Sequence, residues 1–228
     1  SNFGEAKILN IFSENILRNL EKYSVVIVTG FQGNDKFGNI TTLGRGGSDL
    51  SATAIASKLN ATSCEIYSDI DGIFTTDPNV EATAKMLKNI SYNEMIEAAS
   101  AGAKVMHNRS VLVAKKYNLP IQVSNSKFLE GSTESGTKIS NDTTQNDIIE
   151  ENKVKLITKK DNLTQVSIIG EMIMSNINII NKIYQTADLL NVKIYMITFS
   201  ELAIHIITDT SSSENFITSL HKKIITET

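Results

Sequence analysis

Thr41-Thr42-Leu43-Gly44-Arg45-Gly46-Gly47-Ser48-Asp49 is the stretch on which the reading of the fold turns. Upstream lies a short β-branched run, Val25-Val26-Ile27-Val28, which reads as a strand buried on both faces. Residues 31–47 are rich in glycine and polar residues and read as a long loop. A helix follows over 49–59, with small residues at Ala52, Ala54 and Ala56. Gly44, Gly46 and Gly47 let the backbone approach a ligand closely and take positive φ where needed. Ser48 and Asp49 are residue types that cap helices, and the N–H groups of the next turn offer an anion site. Arg45 supplies a planar charged fork for a carboxylate or phosphate. Asp49 would repel an anion but would pair with an ammonium, so Arg45 and Asp49 together fit the two ends of an amino acid. Its glycines taken alone would spell only a turn with a capping Ser-Asp.

Working outward, residues 5–22 place Ile8, Ile11, Phe12, Ile16 and Leu20 at helical spacing. Beyond the glycine loop come a strand at 63–67, helices near 91–101 and 108–117, and a strand at 121–123. Strands alternating with helices imply an α/β layered domain with a mostly parallel sheet. The loop after the first of these strands contains Ser68, Asp69, Asp71, Gly72, Phe74 and Asp77-Pro78. It sits at a strand's C-terminal end, where open α/β sheets bind ligands. Ser68 and Asp69 could touch a phosphate, a metal or a ribose, and Phe74 could lie against an adenine ring; the plainer reading is an Asp-Gly turn and an Asp-Pro turn. Lys104, in a small-residue turn, is either a partner for nucleotide phosphates or a solvated lysine. His107, His205 and His221 have no metal-ligand spacing and read as structural. No Ser-His-Asp set, zinc pattern or GxxxxGK loop occurs.

Residues 140–152 are polar and read as a linker. The pattern then changes to strands at 154–158, 165–170, 192–198 and 202–208 around helices at 176–190 and 213–225, which suggests a ferredoxin-like α+β domain over 153–228.

The 228 residues are 41% hydrophobic with a formal net charge of −3, which points to no polyanionic partner and so to no nucleic acid. No apolar run reaches the length of a membrane span, and Cys64 is the only cysteine, so a cytoplasmic protein is expected. The chain opens at Ser1 without a methionine and runs straight into an apolar pattern, which reads as a cut inside a longer protein.

In order, the glycine string, the Ser68–Asp69 loop and the Lys104 turn resemble the second half of the catalytic domain of aspartate kinases, in the amino-acid kinase family. The likeness covers residues 3–139. It implies the C-terminal half of an α/β/α sandwich and transfer of the ATP γ-phosphoryl to the β-carboxylate of L-aspartate. That reaction opens lysine, threonine and methionine biosynthesis. By the resemblance, Arg45 and Asp49 are the catalytic pair, and with Ser48 they hold the substrate, Arg45 at its α-carboxylate and Asp49 at its ammonium. Gly44, Gly46, Gly47, Ser68, Asp69, Phe74 and Lys104 fall on the nucleotide side, with Mg²⁺ bridging the phosphates. The family's opening Lys-Phe-Gly-Gly-Thr-Ser-like turn has no match here, so this chain alone is expected to be weakly active or inactive.

The last 75 or so residues resemble the regulatory ACT domain of the same enzymes, through Val166-Ser167-Ile168-Ile169-Gly170 and Ile197-Thr198-Phe199-Ser200-Glu201. That likeness implies side-by-side pairing into a homo-oligomer and an amino-acid effector, lysine or threonine, near Met172, Ser175, Ser200 and Glu201. The alternative is a non-catalytic amino-acid-binding or dimerisation subunit.

Overall fold

The computed structural model describes residues 4–103, 105–128, 136–141, 154–171, 173 and 176–226. The chain divides into two compact units, Ser1–Lys159 and Lys160–Thr228.

Unit 1 contains α1 (Glu14–Leu20), β1 (Gln32–Asn34), β2 (Ile40–Thr42), α2 (Gly47–Lys58), β3 (Cys64–Ser68), β4 (Asn89–Ile90), α3 (Tyr92–Ser100), α4 (Asn108–Tyr117), β5 (Ile121–Asn125) and β6 (Thr137–Ile139). Its main sheet runs β3-β5-β6-β4. The β3/β5 and β4/β6 pairs are parallel and β5/β6 is antiparallel, so the sheet is mostly parallel, as expected. Strand β5 alternates little because it is buried almost throughout, as a central strand should be. Ile90, Tyr92, Met95, Val111, Ala114, Ile121, Val123 and Ile139 are fully buried and bind the sheet to α3 and α4.

Local chemistry explains the helix ends. Ser91 Oγ accepts the Glu94 N–H while the Glu94 carboxylate accepts the Ser91 N–H, a capping box that starts α3. Helix α4 starts at the His107 cap and ends at Asn118, which is left-handed at φ 50°.

Three expectations fail in this unit. Residues 25–28 form no strand, and Val25 and Ile27 are 75% and 95% exposed. A strand needs neighbours for its N–H and C=O groups, and among the described residues none pairs with this run. The helix expected over 5–22 shrinks to Glu14–Leu20, because the chain before it is extended, with the Ala6 N–H bonded to Thr42 O at 3.0 Å. The expected loop 31–47 contains the β1/β2 hairpin, paired antiparallel from Gln32↔Thr42 to Asn34↔Ile40. Asp35 closes its tip by accepting the N–H groups of Phe37 and Asn39, a turn device that the glycine-rich composition masks.

Unit 2 contains β7 (Leu163–Ile169), α5 (Ile177–Leu189), β8 (Ile194–Ser200), β9 (Ala203–Asp209) and α6 (Thr210–His221). The sheet order is β7-β9-β8, all antiparallel, which among the described residues is the ferredoxin-like arrangement with three strands rather than four. Val166, Ile183, Ile204, Ile206, Phe216 and Leu220 form its core, between the sheet and the two helices. The strand expected at 154–158 is absent. Instead the Ile157 N–H bonds Thr75 O and Leu156 packs on the core of unit 1, while Val154 is 80% exposed. A register shift between Ile194 and Met196 makes Tyr195 a bulge residue. Its hydroxyl donates to Asp209 at 3.0 Å, and Lys160 Nζ lies 3.8 Å from the ring centroid.

Candidate active site at the glycine loop

Helix α2 begins at Gly46, a left-handed cap at φ 69° with no side-chain cap bond. Ser48 and Asp49, expected as caps, instead occupy the first turn. Gly44 is also left-handed, at φ 77°. The packing around this loop excludes side chains as well. A Cβ on Gly44 would lie 2.7 Å from Gly4 O, one on Gly46 2.3 Å from His107 Cβ, and one on Gly47 2.8 Å from Phe31 Cδ2. The glycines are therefore required by protein packed against them, a demand that sequence reasoning had assigned to a ligand. Phe31 itself holds φ 69°, an uncommon conformation for a bulky residue and a place where strain is stored.

Arg109 and Ser51, which the sequence did not single out, fix this corner together with His107, read there as structural. Arg109 donates from Nη1 to Leu43 O and from Nη2 to Ala6 O, each at 2.7 Å. Ser51 Oγ donates to Gly47 O and accepts the Phe31 N–H at 2.9 Å, joining the β1 entry to α2. His107 caps α4, its Nδ1 accepting the Arg109 N–H, and packs over Gly46.

Within this frame Arg45 is exposed and, among the described residues, makes no hydrogen bond or ion pair. Asp49 is half-buried. Burial lifts its carboxyl above the ordinary range, while the Ser48 hydroxyl, at 3.4 Å, and the charge of His107 draw it partly back. Arg45 and Asp49 thus offer a free cation and a partly desolvated carboxylate four positions apart, with no bond spent between them. Cys64, buried on β3, is pushed up to about 11 by burial and by the charges of Asp49 and Glu65, so its thiol stays protonated.

A second group stands at the C-terminal ends of β3 and β5, where Ser68 pairs in register with Asn125. Ser68 Oγ donates to Asp69 Oδ1 at 3.0 Å, and Asp69 is exposed. The buried Asn125 donates to Asp71 Oδ1 at 2.7 Å and accepts the Lys127 N–H, pinning the loop that carries both aspartates. Phe74 is partly exposed and forms an isolated bridge to Met86. The buried Thr137 hydroxyl accepts the Ile73 N–H at 2.8 Å and donates to Leu87 O at 2.6 Å, holding that bridge against β6. Asn125 and Thr137 were not predicted, since neither carries a local signal. Lys104 lies outside the described residues.

In unit 2, Ser200 closes the β8/β9 hairpin, its Oγ 3.4 Å from Ala203 O, and Glu201 is exposed in the turn. Met172 and Ser175 lie outside the described residues.

The family model described as "Amino acid kinase family" matches residues 2–125. An aspartokinase of Bacillus sp. (strain MGA3) is 44% identical over 169 residues, which are 74% of this chain and 39% of that protein. The crystal structure of E. coli aspartokinase III in complex with lysine and aspartate superposes with a TM-score of 0.71 at 29% identity, covering 90% of this chain and 45% of that one. The same enzyme in complex with aspartate and ADP gives a TM-score of 0.65 at 27% identity, covering 90% and 46%. The chain therefore spans less than half the length of these relatives. Among the described residues no helix is long and apolar enough to cross a membrane. With the family model spanning more than half of its residues, and with the glycine loop, its helix and the β3/β5 ends inside the matched region, this chain belongs to the amino acid kinase family.

Proposed function

We propose that the chain is the nucleotide-side part of an ATP-dependent aspartate kinase. An oxygen of the L-aspartate β-carboxylate attacks the γ-phosphorus of ATP and displaces ADP, leaving an acyl phosphate. The observation that carries this reading is the pairing of an uncommitted Arg45 with a half-buried Asp49 on the rigid start of α2. A cation and an anion at that spacing suit an amino acid, Arg45 taking the α-carboxylate and Asp49 the ammonium, with Ser48 beside them. The E. coli relative, crystallised with aspartate and with ADP, supports the same pair of ligands.

Gly44, Gly46 and Gly47, with Ser68, Asp69, Phe74 and Lys104, make up the nucleotide side. Phosphoryl transfer depends on positioning and charge neutralisation, so a rigid loop is the protein's main contribution from this region. Mg²⁺ would neutralise phosphate charge. It commonly needs only one or two carboxylates besides the phosphates and water, and the exposed Asp69 fits that demand. Unit 2 is the regulatory ACT-like part. It takes an amino-acid effector near Met172, Ser175, Ser200 and Glu201, and pairs with a second copy.

The test is kinetic, in a protein with a complete kinase domain. Arg45→Ala removes a charged contact worth about 1.5–3 kcal/mol, so kcat/KM for aspartate falls roughly 10- to 150-fold while the KM for ATP holds. Unchanged aspartate kinetics would refute the assignment.

A further inference from the structure

Helices α2 and α4 and the extended residues 7–11 line a cleft of about 650 Å³, a volume usual for small-molecule sites. It runs along α2 from Leu50 to Lys58, and Ser57 is separated from Gly47 by about 15 Å of helix. Three observations give it a chemical character. Its walls include the apolar side chains of Leu50, Ala54 and Leu112. Its lining also carries Lys7, Lys58 and Lys116 but, among the described residues, no Asp or Glu. That is a local departure in a chain with 25 acidic and 22 basic residues. The third is Ser57, which is 6% exposed and whose Oγ has no hydrogen-bond partner. On the same helix Ser51 and Thr53 return their hydroxyls to the carbonyls of Gly47 and Asp49, whereas the Ser57 hydroxyl, in the cleft's lining, does not. A buried hydroxyl left unpaired is unfavourable, and a turn of the Ser57 side chain toward a polar group in the cleft relieves it.

We propose that this cleft binds a small organic anion, a carboxylate or phosphate monoester carrying an apolar body. The lysines attract the charged head, Leu50, Ala54 and Leu112 cover the body, and Ser57 bonds a polar atom of the ligand. Arg109 also lines the cleft, but its guanidinium is already bonded to Leu43 O and Ala6 O.

Calorimetric titration of the 228-residue chain with phenyl phosphate, without ATP or aspartate, tests the site independently of the kinase reading. Phenyl phosphate is expected to bind at least tenfold more tightly than inorganic phosphate. Ser57→Ala weakens it about three- to tenfold, the worth of one hydrogen bond, without loss of folding stability. Lys58→Gln with Lys116→Gln weakens it further. Leu112→Glu, at a side chain already 51% exposed and so safe for the fold, abolishes it. Amide shifts on titration should centre on Ala54, Ser57 and Val113. No binding, equal affinity for phosphate and phenyl phosphate, or indifference to the Ser57 and lysine substitutions would each overturn the proposal.

Discussion

Placing one methyl group on Gly46 tests whether the glycine loop is set by packing. At φ 69° an alanine carries left-handed strain of about 1–2 kcal/mol. Its Cβ would also stand 2.3 Å from Cβ, 2.8 Å from Cγ and 3.3 Å from Cδ2 of His107. Overpacking of that kind costs about 1–3 kcal/mol, so Gly46→Ala should cost ~2–5 kcal/mol in all. With a urea slope of about 2 kcal/mol per molar, the unfolding midpoint should fall by roughly 1–2.5 M. The second half of the experiment separates strain from overlap. His107→Ala keeps the Cβ and gives little relief, whereas His107→Gly removes all three contacting atoms. Glycine is also a tolerable cap, worse by only a few tenths of a kcal/mol. The Gly46→Ala, His107→Gly double variant should therefore recover about 1–3 kcal/mol beyond the sum of the single changes and keep the strain. Additivity within about 0.5 kcal/mol would show that His107 does not exclude a side chain here, and the packing account of the loop would fail.

Two further outcomes follow from buried groups near the site. Thr137→Val leaves the Ile73 N–H and Leu87 O unsatisfied and should cost about 2–4 kcal/mol, whereas Thr137→Ser keeps both bonds; chemical unfolding that ranks valine at or above serine would contradict the bonding described. Asp49 has a folded-state pKa raised above its unfolded value, so its contribution to stability is fully present below the unfolded pKa of about 3.9 and is lost as pH rises through the folded value. Asp49→Asn should flatten that part of the pH–stability curve, and an unchanged curve would show that burial does not act on this carboxyl.

What could be read from the sequence was whatever is decided locally. Helix α4 falls on 108–117 as expected, because its apolar period and its ends are set within its own residues. The succession α2, β3, α3, α4, β5 and that from β7 to α6 were legible for the same reason, whereas β1, β2, β4 and β6 were not. The run at 25–28 and the segment 154–158 were misread because their β-branched residues state a propensity, and strand formation depends on neighbours that the described chain does not bring to them. At the site Gly44 and Gly46 were legible as left-handed positions, but what makes the three glycines obligatory was not. Phe31 and His107 approach from elsewhere in the chain, and Arg109 reaches carbonyls 66 and 103 residues away. No window of sequence holds such pairs.

Arg109 has a consequence for how this corner responds to its surroundings. Its two bonds fall on backbone carbonyls, which carry no titratable group of their own. Asp49, by contrast, can gain a proton and shed its charge. Shape and charge are thus governed by different side chains, and acidification can silence the carboxylate while the loop that presents it stays fastened.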